Sequence, residues 1–188
     1  MTRRSIAIGL AWFVLAWLEW PAPAHAQPLR IESCRARGDS VEVVARMDVR
    51  ARPEQVWQVL TDYERMPRFV PGLRRSRRIR AGREGPLVEQ VAVARVLVFE
   101  RHVMALLQMD ESTPGALGFR AVAGDFKRLR GNWKLEALGG GWTRIFCRCV
   151  AAPRRSVPKP LLAWATRHEI TPGMRALGRE AERRSGAR

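Results

Sequence analysis

The sequence ARPEQVWQVLTDYERMPRFVPGLRRSR, residues 51–77, carries the strongest indication of the fold. Pro53 stands where the first turn of a helix tolerates proline. Three apolar residues then recur at helical spacing: Val56, Val59 and Leu60. We expect this helix to end near Asp62. Residues 63–73 hold two prolines and a glycine, so they allow at most one further turn of helix before a loop.

On both sides of this helix the pattern predicts β-strands. Upstream, residues 31–37 and 41–49 flank a Gly-Asp turn, and apolar and polar residues alternate along the second segment. Downstream, residues 73–150 contain five or six strand-like segments separated by turns rich in glycine and proline. This spacing of turns is typical of an antiparallel meander.

The C-terminal region changes to a helical period. Residues 157–184 carry apolar side chains close to every 3.6 positions, and we expect the helix to be broken or kinked at Pro172-Gly173. The order of strand, helix, antiparallel strands and long helix predicts an α+β fold. A strongly curved sheet around one long helix would bury these faces, and it would leave a cavity between sheet and helix.

Three motifs in this order resemble the START-like (SRPBCC) superfamily, and within it the polyketide cyclase/dehydrase and coenzyme Q-binding group. Residues 51–77 are similar to its first-helix signature, VAGDFKRLRGNWKLE (122–136) to a strand pair, and VPKPLLAW (157–164) to the entry of its last helix. The resemblance spans about residues 40 to 182. It implies the helix-grip fold and a hydrophobic pocket for a lipid, quinone or polyketide-like molecule.

The N-terminus has the pattern of a secretory signal. Arg3 and Arg4 precede an apolar run over residues 6–18, and the small-residue box Ala24-His25-Ala26 follows. We therefore expect a signal peptide over 1–26, cleaved after Ala26, and a periplasmic or secreted protein; an uncleaved anchor is the alternative. The remaining chain divides into an N-terminal strand or hairpin extension, a START-like ligand-binding domain and a frayed tail: 27–39, 40–184 and 185–188.

The chain is strongly basic, with 34 Lys and Arg against 18 Asp and Glu and a formal net charge of +16. One predicted strand is crowded with arginines: Arg74, Arg75, Arg77, Arg78 and Arg80. Nucleic acid is not the expected partner, because secretion removes the protein from it and no aromatic ladder interleaves the arginines. An anionic membrane surface fits this strand better, since each basic residue contributes about 1 kcal/mol there. The alternative is an arginine-rich surface without a dedicated partner.

The candidate pocket residues follow from the apolar faces of the predicted elements. We expect ligand contacts from nine of them: Trp57, Gln90, Ala92, Ala94, Phe119, Leu129, Trp133, Cys147 and Leu162. Gln90 is the polar member, and it could orient a ligand carbonyl or hydroxyl. If the protein is a catalyst, the candidates for acid or base are three: His102, Tyr63 and Asp62. No H-E-x-x-H or C-x-x-C spacing occurs, so we expect neither a metal nor a cofactor.

The three cysteines leave two interpretations open. Cys147 and Cys149 alternate on one strand, where a disulfide between them would be strained. Cys34 could bridge to one of them if the first strand lies near the last, or all three are small buried hydrophobic residues.

Three classes of function remain. The first is a secreted or periplasmic carrier, monomeric, that captures a hydrophobic ligand between the sheet and the last helix. The second is a cyclase or dehydratase that acts on an aromatic or polyketide-like substrate. The third is a non-catalytic module that uses its arginine-rich face on a membrane surface.

Overall fold

The computed structural model describes residues 29–80, 85–96, 99–155 and 157–186. The predicted signal peptide, 1–26, lies outside the described residues. The elements run in the order β1 (Arg30–Arg37), β2 (Ser40–Val49), α1 (Pro53–Leu60), a 3₁₀ turn (Met66–Arg68), β3 (Leu73–Arg80), β4 (Leu87–Val96), β5 (Phe99–Thr113), β6 (Ala116–Gly124), β7 (Phe126–Gly139), β8 (Trp142–Pro153) and α2 (Lys159–Ser185).

The strands of the described chain form one antiparallel sheet of eight, in the order β1-β2-β8-β7-β6-β5-β4-β3. Strands β3 to β8 are the predicted meander, each pairing with the next. The first hairpin joins the far end of this meander through pairing of β2 with β8. The curved sheet packs its concave face against α2, so the predicted α+β helix-grip arrangement is confirmed.

Helix α1 forms as its sequence predicts. Pro53 is its first residue, and the side-chain oxygen of Gln55 accepts a hydrogen bond from the Arg52 amide at 2.8 Å. This contact satisfies one of the amides that a helix start leaves unpaired. At the other end, the hydroxyl of Thr61 donates to the carbonyl of Trp57 at 2.9 Å. The predicted apolar residues form the buried face: Val56, Val59 and Leu60.

Helix α2 is continuous through Pro172, so of the predicted break or kink at this position the break is wrong. Packing of one face of the helix against the sheet and α1 outweighs the hydrogen bond that proline cannot donate. The C-terminal end is held to α1 and β2: Arg184 pairs with Asp62 at 2.7 Å, and the Ser185 hydroxyl donates to the Arg50 carbonyl. Gly186 closes the helix in the left-handed conformation, at φ 73°.

The core lies between the concave face of the sheet, α1 and the C-terminal half of α2. Its largest fully buried side chain is Tyr63, just after α1, and Met174 of α2 lies in the same cluster. Within the described residues, the two helices are too short or too polar to cross a membrane.

Candidate functional site

A cavity of about 330 Å³ lies between the concave face of the sheet, the segment 66–73 and α2. Alternate residues of the central strands point into it, because side chains on one face of a strand recur at every second position. The strand residues of its wall are Gln90, Ala92, Leu107, Met109, Leu117, Phe119, Leu129, Trp133, Cys147 and Cys149. The wall is therefore mostly apolar, as a site for a hydrophobic ligand requires.

One face of α2 closes the cavity. Ile170, Gly173, Met174 and Leu177 all line it, at the spacing that places residues on a single helix face. Gly173 is the small member of this set: a Cβ atom added there would meet nothing within 4 Å. The absence of a side chain at this position therefore leaves space in the cavity.

The structure brings together six of the nine predicted ligand contacts. These six line the cavity: Gln90, Ala92, Phe119, Leu129, Trp133 and Cys147. Trp57 is half-buried and packs against the core, but it does not line the cavity. Ala94 lies in β4 and Leu162 in α2, and the side chains of both are outside the described part of the chain. Contact of any of these residues with a ligand stays a prediction.

Gln90 is a polar group in the apolar wall. Its amide nitrogen donates to the hydroxyl of buried Ser76 at 3.3 Å and lies 3.7 Å from the sulfur of Met66. These contacts fix the amide, and within the described residues its oxygen accepts no hydrogen bond. That oxygen can therefore accept from a ligand hydroxyl.

Tyr63 also lines the cavity, and it forms a pair that the sequence does not reveal. Its hydroxyl donates to a carboxylate oxygen of Glu111 at 2.7 Å, and the Arg78 guanidinium lies 5.2 Å from the ring centre. Burial, followed by the hydrogen bond and charge of Glu111, raises the pKa of Tyr63 well above its usual value. The phenol therefore stays protonated at neutral pH. Nothing local in the sequence links residues 48 positions apart.

The other two catalytic candidates lie away from the cavity. His102 is exposed on β5 and alternates with the inward residues Ala105 and Leu107, so it belongs to the outer face of the sheet. Asp62 lies two residues after α1 and pairs with Arg184 and, at 3.8 Å, with Arg65. Of the three predicted candidates, only Tyr63 is in the cavity wall.

The three cysteines are unbonded thiols. Cys34 lies opposite Val43, and Val43 lies opposite Cys149, so β2 separates the first strand from the last. Two strand spacings amount to about 10 Å, which is beyond the reach of a disulfide. The alternative in which Cys34 bridges to a cysteine of β8 is therefore wrong.

Both cysteines of β8 face the cavity, and burial controls their chemistry. It raises the pKa of Cys149 to about 12 and raises that of Cys147 further still. A thiol with a raised pKa stays protonated, and the thiolate is the form that acts as nucleophile. Both side chains therefore serve as small apolar elements of the wall. Within the described residues, no group of three metal-ligating side chains occurs.

The predicted basic strand is β3, an edge of the sheet. Its arginines are exposed: Arg74, Arg75, Arg77, Arg78 and Arg80. An acidic neighbour offsets part of their charge: the Oε1 atom of Glu89 lies 2.9 Å from the Nε of Arg75 and 3.1 Å from the Nε of Arg77. Exposed pairs of this kind contribute little to stability. The charged side chains also protect the open edge of the sheet from pairing with another chain.

These features define a helix-grip protein with an internal, mainly apolar cavity, a class also found among solved structures. An aromatase/cyclase (Zhui) from Streptomyces sp. R1128 superposes with a TM-score of 0.65 at 16% identity, over 77% of this chain and 95% of that one. A START superfamily protein from Mycobacterium smegmatis gives 0.65 at 15% identity, over 76% and 97%. A STAR-related lipid transfer protein from Xanthomonas axonopodis gives 0.61 at 17% identity, over 84% and 99%.

The chain belongs to the polyketide cyclase/dehydrase and lipid transport family, whose sequence model matches residues 49–175. This membership and the fold confirm the predicted START-like resemblance. None of the curated proteins compared matches the chain in sequence. At identities of 12–22%, the structural relatives establish the fold alone.

Proposed function

We propose that the protein is a secreted or periplasmic carrier that holds a small hydrophobic molecule in the cavity between the sheet and α2. The observation that carries this proposal is the apolar wall itself, interrupted by few polar groups. Burial of apolar ligand surface contributes about 25 cal/mol per Å² before the costs of ordering. The fixed amide of Gln90 would orient one polar group of the ligand. The cavity also counts against a module with a solid interior.

The size of the cavity narrows the ligand class. At about 330 Å³ it is at the small end of ligand pockets. It suits a ring system or a single short chain with one hydroxyl better than a lipid with two acyl chains. Entry would require the segment 66–73 to separate from α2, because these two elements close the cavity on the side away from the sheet.

Location is part of the proposal. Export would follow from the signal-like N-terminus, and the arginines of β3 would hold the mature protein near an anionic membrane. Hydrophobic molecules partition into membranes, so a carrier at that surface would be close to ligands that its mostly apolar cavity can hold. The protein would act as a monomer.

The first test is the identification of molecules that co-purify with the protein. The full-length gene would be expressed in a Gram-negative host and the protein purified from periplasm without detergent. We expect an intact mass that begins at Gln27, and a stoichiometric hydrophobic molecule in the organic extract by mass spectrometry. Recovery of the protein only from cytoplasm would contradict the location, and an extract without any such molecule, from protein that also fails to bind hydrophobic probes, would contradict the carrier.

A cyclase or dehydratase is the second candidate, and the hydrogen bond between Tyr63 and Glu111 in the cavity wall favours it. A protonated phenol can donate to a substrate carbonyl in such reactions. Here the hydroxyl already donates to Glu111, and a pKa raised by burial keeps the phenol protonated, so Tyr63 is a weak acid and is not available as a base.

The variant Tyr63→Phe separates these two functions. It keeps the ring that fills the core and removes only the hydroxyl. For a carrier we expect ligand affinity to change by less than about threefold, while stability falls by about 1–2 kcal/mol because Glu111 loses its partner. Ligand titration and urea unfolding measure the two quantities. Loss of turnover of a polyketide-like substrate in Tyr63→Phe, with affinity retained, would favour the enzyme.

A further inference from the structure

A second concavity lies on the outer face of the sheet, over strands β5 to β8. Its volume is about 550 Å³, and six of its ten lining residues have polar or charged side chains. It lies on the face away from α2, because most of its wall residues alternate with those that face the core; Phe119 lines both this pocket and the inner cavity. The proposed carrier function does not use it.

Two cross-strand rows build this outer pocket. One row runs Asp110, Gly118, Asn132, Arg148 across β5 to β8, and the adjacent row runs Gln108, Arg120, Arg130, Val150. Gly118 contributes no side chain to the centre of the first row. Even a Cβ atom there would lie 3.1 Å from that of Asp110. The missing side chain of Gly118 therefore leaves a depression in the outer face of the sheet, and arginines of the adjacent row lie beside it.

Three arginines of neighbouring strands lie close together in this pocket. Arg120 and Arg130 lie directly opposite each other on neighbouring strands, and Arg148 is diagonal to Arg130. Like charges in directly opposite positions destabilise a sheet. Arg148 is paired with Glu42 at 2.6 Å, whereas Arg130 has no ion pair with any residue in the described part of the chain. An anion beside Arg130 would offset a positive charge that has no ion pair among the described residues.

We propose that this outer pocket binds a phosphomonoester that carries hydroxyl groups. The dianionic phosphate matches the two facing guanidiniums, whose forked donors bind phosphate oxygens in pairs. The remaining space takes a small polyol. Asp110 accepts hydrogen bonds from the Ser112 amide and hydroxyl through one carboxylate oxygen, which leaves the other oxygen for a ligand hydroxyl. Asn132 adds an amide that both donates and accepts.

The test titrates glucose 6-phosphate into the purified protein by calorimetry, with glucose as the control ligand. We expect one saturable site for glucose 6-phosphate and none for glucose. Arg130→Gln should weaken binding by about tenfold or more, because it removes one of the two facing charges. Arg120→Gln should act alike and provides a second variant if one of them folds poorly, as judged by circular dichroism.

Arg128→Gln is the matched control. Arg128 is exposed on β7 two residues from Arg130, so both variants lose the same charge from the same strand, but it does not line the pocket. We expect it to weaken binding by less than about twofold, since screened exposed charges act weakly at a distance. Equal weakening by Arg128→Gln and Arg130→Gln would overturn the proposal, because it would show only a general attraction of anions.

A second arm distinguishes a soluble ligand from a lipid headgroup with the same chemistry. Phosphatidylcholine vesicles with and without phosphatidic acid, itself a phosphomonoester, would be tested by co-sedimentation. Binding of glucose 6-phosphate that is sensitive to Arg130→Gln supports a soluble ligand. Binding only to phosphatidic acid vesicles, with the same sensitivity, supports a headgroup. Insensitivity to Arg130→Gln in both arms, or binding in neither, overturns the proposal.

Discussion

Gly173→Phe should abolish the binding of hydrophobic ligands and leave the fold intact. Gly173 lines the cavity from α2, and its position has open space where a side chain would begin. A benzyl group would occupy a large part of the 330 Å³ that a ligand needs. We expect the affinity for N-phenyl-1-naphthylamine, a neutral fluorescent hydrophobic probe, to fall by at least about tenfold. The neutral probe excludes any contribution from the arginine surface.

Gly173→Ala is the matched control for this prediction. A methyl group leaves most of the cavity open, so probe affinity should stay within about twofold of the wild type. The helix should gain up to about 1 kcal/mol, because alanine is favoured over glycine in a helix interior. Thermal unfolding of both variants verifies that the fold is retained. Unchanged probe binding in a folded Gly173→Phe protein would show that ligands bind elsewhere and would refute the carrier proposal.

The elements of the fold are predictable from the sequence because their signals are local. The helical spacing of Val56, Val59 and Leu60 is contained in one segment of eight residues. The alternation along residues 41–49 likewise reports a strand with one buried face. At Pro172 the sequence predicts a break or a kink, and the break is absent because packing of α2 against the sheet and α1 holds the helix together.

The strand residues of the cavity wall are predictable in part, because apolar and polar residues alternate along each strand. Ala92, Phe119 and Trp133 were assigned to it from inward faces, and they line it. His102 is a catalytic candidate that the sequence alone does not assign to either face of its strand. On β5 it alternates with the inward-facing residues, so its side chain lies on the outer face of the sheet. What no local pattern contains is the register between strands. Pairing of β2 with β8 separates Cys34 from Cys149, and folding brings Glu111 to Tyr63.

Gly131→Ala should destabilise the protein by about 3 kcal/mol or more. Gly131 lies in the interior of β7, directly opposite Phe119 of β6. An added Cβ would collide with the main-chain carbonyl oxygen of Arg148 and lie 2.6 Å from the end of the Phe119 ring. The ring can turn, but the neighbouring strand can move only by disturbing the pairing of β7 with β8.

Gly118→Ala is the control for this prediction, and the two variants are compared in both stability and ligand binding. Gly118 is also a strand glycine, but the atom closest to an added Cβ is the Cβ of Asp110, at 3.1 Å. The two strands need to separate there by only a few tenths of an ångström, so we expect a cost of about 1 kcal/mol. Urea unfolding of both variants measures the difference, and similar stabilities would contradict our account of Gly131. Because Phe119 covers Gly131 and also lines the cavity, a ring displaced by Gly131→Ala would enter the ligand space. Even the folded fraction of that variant should therefore bind N-phenyl-1-naphthylamine more weakly, whereas Gly118→Ala should bind it as the wild type does.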